Sequence, residues 1–519
     1  WTKINNQNIA FFQAWYAHDI AINPANSSEM MYVGVDAWKS TDTGNSFAKR
    51  SDWQRWVFGE IPEGQPGGTD SAFVHGDIHA VYYHPLNNKV YLATDGGVFS
   101  SDNGEPPYAE LNGGLKTLQL YADMASSASD PELFTGGAQD NSTYIHKENE
   151  RWFRVIGGDG MSTAINAEND SIIYGSFQGL NVAISTDRGG NYNFAKPTLR
   201  PGDSPAFLGP YELAPTDQDI IYGGAGYLYK SIDGGTNWDA TANVPVDTPN
   251  WIVKIAISPE NPDLLYIGTS PHPFLGTSTV KIMKSIDGGQ NFTTMSGLPN
   301  RVVKDIEFDP TNENTVYITF SGFGTNHVYR TTNGGNNWTA IDNGLPDLPV
   351  NTILIDPLNP GNLYVGNDLT VYYSENSGAS WEVFDEALPE AVMVYDLNDS
   401  PSNRKIRIAT HGHGFFQRDY VNLTTSVETL EANFSEFKIY PNPAADQAMI
   451  EINAEQNIEN IRVELNNVLG QNIATVFNGN IFAGQNKIEL NNLNKYPAGN
   501  YFIKINSPRG NVSKQFIIK

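Results

Sequence analysis

The chain has 519 residues, 32 Lys and Arg against 58 Asp and Glu, and a formal charge of −26. At about 100–200 residues per domain this length predicts more than one domain. The acidity argues against phosphate backbones and anionic lipid surfaces as partners, which would have to be approached against the protein's own field. With no Cys, disulfides, thiolate metal sites and cysteine nucleophiles are excluded. No apolar run reaches the roughly 18 residues of a membrane-spanning helix, and Trp1-Thr2-Lys3-Ile4-Asn5 does not open a signal peptide.

In chain order, short runs rich in Val, Ile, Tyr and Phe alternate with turns drawn from 48 Gly and 30 Pro, which predicts an all-β fold. One phrase recurs: a strand-like run, a Pro/Asn/Asp turn, and a second run ending in Tyr-x-Gly. Clear copies run from His18 to Gly34, Lys254 to Gly268 and Thr352 to Gly366. Weaker ones begin near Ile78, Ala122, Ser162, Tyr211, Asp305 and Tyr395, so nine repeats are expected. Most are followed by Ser/Thr-x-Asp-x-Gly-x-x-aromatic, centred on Asp42, Asp187, Asp233 and Asp287; Asn333 and Asn376 replace the Asp, and Asp102 lacks the aromatic. From Ser185 through Ser231, Ser285 and Thr331 to Ser374, successive boxes fall 43 to 54 residues apart. Four short strands at that period predict a β-propeller blade.

The box has a physical reading as a turn. A short carboxylate or amide accepts neighbouring backbone N–H groups, Gly supplies the positive φ, and the aromatic packs between blades. Asp42, Asp102, Asp187, Asp233, Asp287, Asn333 and Asn376 are therefore assigned a structural role. The pattern resembles the Asp-box of sialidases, sortilin-type propellers and xyloglucanase-like glycoside hydrolases, and implies a fold without implying a reaction. Trp1-Thr2-Lys3-Ile4 aligns with Trp338-Thr339-Ala340-Ile341, so the sequence is expected to begin inside an earlier blade and the natural precursor to be longer at its N-terminus. One large ring, or one complete propeller plus part of another, both remain open.

In a propeller whose strands A to D run outward, the D–A and B–C connections share the face where ligand sites usually lie. Those connections supply three candidate catalytic carboxylates, Asp77, Asp95 and Asp159, and five candidate ligand-binding residues, His75, His79, Asp140, His411 and His413. Thr94-Asp95-Gly96-Gly97 resembles, one residue shorter, the TD-x-GG segment of the xyloglucanase-like family, which implies a catalytic Asp95; Asp77 and Asp159 are the candidate partners among the loop carboxylates. Paired carboxylates in unlike environments suit acid–base attack on a glycosidic bond. No cofactor is expected and no metal site is assigned, although His75, Asp77 and His79 could help hold a divalent cation. The competing reading is that Gly-flanked Asp and His cap backbone groups at strand ends. Exposed Trp251, Tyr227 and Phe323 could stack on sugars or pack between blades. A sialidase-type Arg cluster, a Gly-x-Ser-x-Gly elbow and a nucleotide loop are not found, and Arg151 and Arg154 stand isolated. Two functions compete: a glycan- or protein-binding module, and a glycoside hydrolase.

After Phe416 the boxes stop. Residues 421–434 read as a linker, and six or seven short strands from Phe437 to Ile518 predict a small Ig-like β-sandwich over 435–519. Tyr440-Pro441-Asn442-Pro443, Leu469-Gly470-Gln471, the run from Pro497 through Gly499 and Tyr501 to Ile505, and a terminal segment ending at Lys519 resemble the type A C-terminal sorting domain of type IX secretion cargo (the Por secretion tail). The resemblance implies export through the periplasm and outer membrane of a Bacteroidota-type Gram-negative cell to its surface or beyond. The implied partners are the translocon and its outer-membrane shuttle or sortase components.

Overall fold

A computed structural model describes the chain except for residues 1–2, 62–66, 122, 276–278, 422–433, 455–456, 468–470 and 508–509. Trp1, Thr2, Ala122, nearly all of the expected linker and the Leu469-Gly470 turn thus lie outside the described residues. The chain divides into two compact units, Trp1–Tyr420 and Val421–Lys519.

Among the described residues the first unit contains nine small antiparallel sheets, most of four strands in sequence order. The strands are short, and in the inner ones burial alternates or is continuous because both faces are covered by neighbouring sheets. Seven of the nine close a ring. It begins with the blade built from Ala125–Ser126, Phe134–Ala138, Ser142–Lys147 and Arg151–Ile156, and ends with the three-stranded blade of Val394–Ser400, Lys405–Thr410 and Gly414–Asp419. Closure is specific. The Met124 N–H donates to Asp396 Oδ2 at 2.8 Å and the Leu120 N–H to the Thr410 carbonyl at 3.0 Å. Arg407, 1% exposed, donates to the Pro131 and Leu133 carbonyls and lies 4.3 Å over the Phe134 ring. The two remaining blades precede the ring: Asp19–Ile22, Met30–Val33, Ala37–Ser40 and Ala48–Lys49, then Ile78–Tyr83, Lys89–Thr94, Gly97–Asp102 and Tyr108–Glu110. They pack on each other through Met31, Val33, Ile78, Val90 and Leu92. Gly59–Glu60, from the connection between them, adds a fifth strand to the first ring blade. Nine repeats thus form one seven-bladed ring plus a two-bladed neighbour.

The boxes lie where the pattern places them, between the third and fourth strands. In each of six copies the hydroxyl of the leading Ser or Thr accepts the Gly N–H, as Ser231 does from Gly235 at 2.9 Å, and donates to the Asp or Asn two residues on. That side chain accepts the N–H four residues further along, for example Asn237 to Asp233 at 2.8 Å. Such donors hold Asp42 and Asp187 down at about 2. Asp102 differs: it is exposed and faces Lys89 at 3.8 Å. Box aromatics tie blades together, Trp381 Nε1 donating to the preceding blade's Ile341 carbonyl at 2.7 Å.

The second unit is a sandwich of a three-stranded sheet (Phe434–Tyr440, Ala448–Ala454, Gly484–Leu490) and a four-stranded sheet (Asn472–Ile481, Ile458–Asn467, Gly499–Ser507, Gly510–Ile518). Alternation buries Ile450, Ile452, Ile461, Val463, Leu465, Ile503, Ile505 and Phe516 between them. The recurring motifs brace this core. Asn442 donates to the Gln515 carbonyl and accepts the Ile517 N–H, Tyr501 Oη donates to the Pro497 carbonyl at 2.9 Å, and the Lys519 N–H donates to the Ala444 carbonyl at 2.7 Å.

Candidate active site

Four carboxylates meet at the seam between the two-bladed part and the ring. Asp77 lies in the connection entering the second outer blade and Asp95 in the turn between that blade's second and third strands. Asp140 occupies the equivalent turn of the first ring blade, and Asp159 follows that blade's last strand. One oxygen from each of Asp77, Asp95 and Asp140 lies within 4.8 Å of the other two. Asp159, 9% exposed, supports the group from beneath: its Oδ1 accepts the Asp140 N–H at 2.7 Å, and its Oδ2 accepts from Gln178. Asp77 and Asp140 both adopt φ of +56°, a left-handed conformation that Asp tolerates and that aims their side chains off the strand ends.

The group is electrostatically uneven. Burial, then the charges of Asp159 and Asp95, pushes the Asp140 carboxyl up to about 7. Burial and Asp95 also raise Asp77, against a hydrogen bond from Gln13. Asp95 is paired through Oδ1 with His79 Nε2 at 2.7 Å, while its Oδ2 is buried with no hydrogen-bond partner among the described residues. Tyr16 packs edge-on to His79 at 4.8 Å, its phenol raised by burial and by Asp95 and Asp140.

The histidines separate into different roles. His75 turns both ring nitrogens to main-chain carbonyls, those of Gly76 and Asp140, each at 3.0 Å. Burial lowers its pKa, and the neutral ring donates to one carbonyl at a time. It is a strut beneath the turns, so a cation held by His75, Asp77 and His79 together is not what the geometry offers. His79 serves Asp95. His411 lies apart, between Tyr121 and Tyr395 at the mouth of the ring's axis. His413 lines a cavity of about 490 Å³ beside the carboxylates, together with Trp56, Asp95, Trp152, Arg154 and Phe415.

The axis of the ring holds a second charged group. Lys254 bridges Asp123 and Asp305 at 2.8 and 3.0 Å, with Glu212, Glu307 and Asp396 around it. Burial, then the charge of Asp123, lifts Glu212 to about 8 and Asp396 to about 7. Trp251 lines the mouth of this axis, whereas Tyr227 packs under Arg200 and Phe323 is exposed.

Sequence reasoning brought out the four carboxylates but missed Gln13, Tyr16, Trp56, Trp152 and Gln178. Gln13 ends the short 3₁₀ helix Phe11–Gln13, and Tyr16 and Trp56 sit in connections, with no repeat partner to flag them. Arg154, noted as isolated, becomes part of a cavity wall only through folding.

Residues 438–519 match the family described as "Secretion system C-terminal sorting domain". No curated protein matches the chain. Among solved structures, similarity is found to a GH74 enzyme of Niastella koreensis at 18% identity and TM-score 0.48, covering 78% of this chain and 60% of that one. YCF48 of Cyanidioschyzon merolae matches at 13% identity and TM-score 0.46, covering 60% and 98%. The GH74 xyloglucanase of Xanthomonas campestris matches at 13% identity and TM-score 0.33, covering 95% and 79%. The chain spans about 60% of the length of the Niastella enzyme, and at these TM-scores none of the three bears on its activity. Among the described residues no helix is long and apolar enough to cross a membrane. A β-propeller protein ending in a sorting domain of this class is cargo of type IX secretion, exported to the cell surface or the extracellular space.

Proposed function

We propose that the propeller region binds a glycan at the seam between its two parts and hydrolyses a glycosidic bond there. One observation carries the reading: Asp95 and Asp140 lie in one cluster, and Asp140 is held up to about 7. Asp140 keeps a proton near neutral pH and gives it to the departing glycosidic oxygen. Asp95, oriented by His79, meets the sugar carbon as its bond to that oxygen breaks. Water, deprotonated by the Asp140 carboxylate, then releases the sugar from Asp95 and restores both groups. Oxygens within 4.8 Å suit the shorter carboxylate separation of about 5–5.5 Å, so the product is expected to retain anomeric configuration.

The test is turnover of a polysaccharide panel by the purified protein, followed by reducing-end release and NMR of the first-formed anomer. Asp140→Asn and Asp95→Asn should each lower kcat by about 10²–10⁴-fold. An unmodified protein that turns over nothing in the panel overturns the proposal.

A second reading is favoured by the unpartnered Oδ2 of Asp95. With Asp77 and Asp140 it offers hard oxygen donors to a divalent cation, in which case the seam is a cation-dependent binding site. Added Ca²⁺ or Mn²⁺ would then raise Tm in the parent and not in Asp77→Asn, and chelator would abolish glycan binding instead of leaving turnover intact. For export, residues 435–519 are read as the segment that engages the translocon and its outer-membrane shuttle or sortase components.

A further inference from the structure

Arg154 is 6% exposed in the strand Arg151–Ile156. A buried guanidinium is costly unless it is paired, yet none of the described carboxylates lies within ion-pair distance of it. Nη1 donates to the carbonyls of Val57 at 3.3 Å and Gly67 at 3.1 Å, and Nη2 to Tyr144 Oη at 3.2 Å. The group lies 4.3 Å over the Trp56 ring. Nε has no partner among the described residues. Of the five N–H donors a guanidinium carries, Nε–H and one on Nη2 therefore stay uncommitted. Glu110, in the same wall, accepts the Gly67 N–H at 2.7 Å; burial raises its carboxyl, against that hydrogen bond and the charge of Arg154.

This side chain lines the 490 Å³ cavity that also receives Asp95, a volume in the range of small-molecule sites. Trp56, Trp152 and Phe415 supply apolar faces of the kind that cover sugar C–H groups, and Lys116 adds a second cation at the edge. We propose that the cavity seats an acidic sugar, a uronic acid residue whose carboxylate is held by the guanidinium of Arg154. This rests on the glycan reading above and narrows it to a substrate class. Arginine matches a carboxylate bidentately where lysine offers one point charge, so the two are not interchangeable here.

The experiment follows the tryptophan fluorescence of the full chain, since Trp56 and Trp152 line the cavity. Oligomers of galacturonate, glucuronate and mannuronate are titrated, each beside its carboxyl-reduced neutral counterpart. At least one acidic oligomer should bind about tenfold more tightly than its neutral twin. Arg154→Gln and Arg154→Lys should each erase that preference, read as the ratio of acidic to neutral affinity within each variant; should the Gln variant unfold, the Lys variant alone decides. Equal affinity for acidic and neutral members of every pair, or an undiminished preference in Arg154→Lys, overturns the inference. Acidic binding without cleavage would remove the hydrolase and leave the site standing; cleavage of neutral glycans without acidic preference would do the reverse.

Discussion

Asp140 shows how much of a residue's chemistry comes from its neighbours. Its sequence context, Gln139-Asp140-Asn141, is an ordinary turn, and what makes it a proton holder is burial, then the charges of Asp159 and of Asp95 across the seam. The folded chain keeps a proton up to about pH 7 that an unfolded carboxyl releases near 3.9. Between those values the native state binds the extra proton, so this group's contribution is most favourable below about pH 4 and is lost as pH rises through about 7. Asp140→Asn keeps the left-handed turn and removes the titration. Its Tm relative to the parent is expected to climb between pH 5 and pH 8, as read by thermal melts across that range. A gap that stays constant would show that Asp140 titrates normally.

At the scale of the element, the box turn is a device for stacking blades. Its Gly has positive φ and no room for a side chain: a Cβ on Gly44 would meet Ile4 at 2.8 Å, and one on Gly378 would meet Ile341 at 2.6 Å. Ile4 thus stands toward the first box as Ile341 stands toward the blade that follows it, which accounts for the alignment of Trp1-Thr2-Lys3-Ile4 with Trp338 to Ile341. Ser231, 1% exposed, is the hydroxyl that closes one such turn on the Gly235 N–H. Ser231→Ala leaves that buried donor unsatisfied and is expected to cost about 1–3 kcal/mol, measured by urea unfolding with an unchanged m-value. These turns were legible from sequence because every bond in them spans four residues or fewer. The carboxylate cluster was legible only as a set of loop positions, since nothing in a linear pattern says that the turn after Thr94 faces the turn after Ala138.

For the whole molecule, the two units have separate cores. Removing residues 435–519 takes away the entire Ile- and Val-rich sandwich core without touching the ring contacts made by Arg407, Met124 and Leu120. The truncated chain is expected to keep the propeller's β-rich circular dichroism and to accumulate in the periplasm. Fractionation of cells expressing it reads the outcome, and unimpaired export would mean that the address lies elsewhere. By itself the sequence determined the all-β class, nine repeats, their box turns and the sorting domain, because period, turn chemistry and strand alternation are local properties of the chain. Tertiary structure decided that seven blades close and two stand outside. It also decided that Asp77, Asp95, Asp140 and Asp159 share one seam, and that Arg154 faces a cavity with no ion-pair partner among the described residues. Those outcomes depend on contacts between residues as far apart as Pro131 and Arg407, and which blade meets which is set by packing summed over the whole ring.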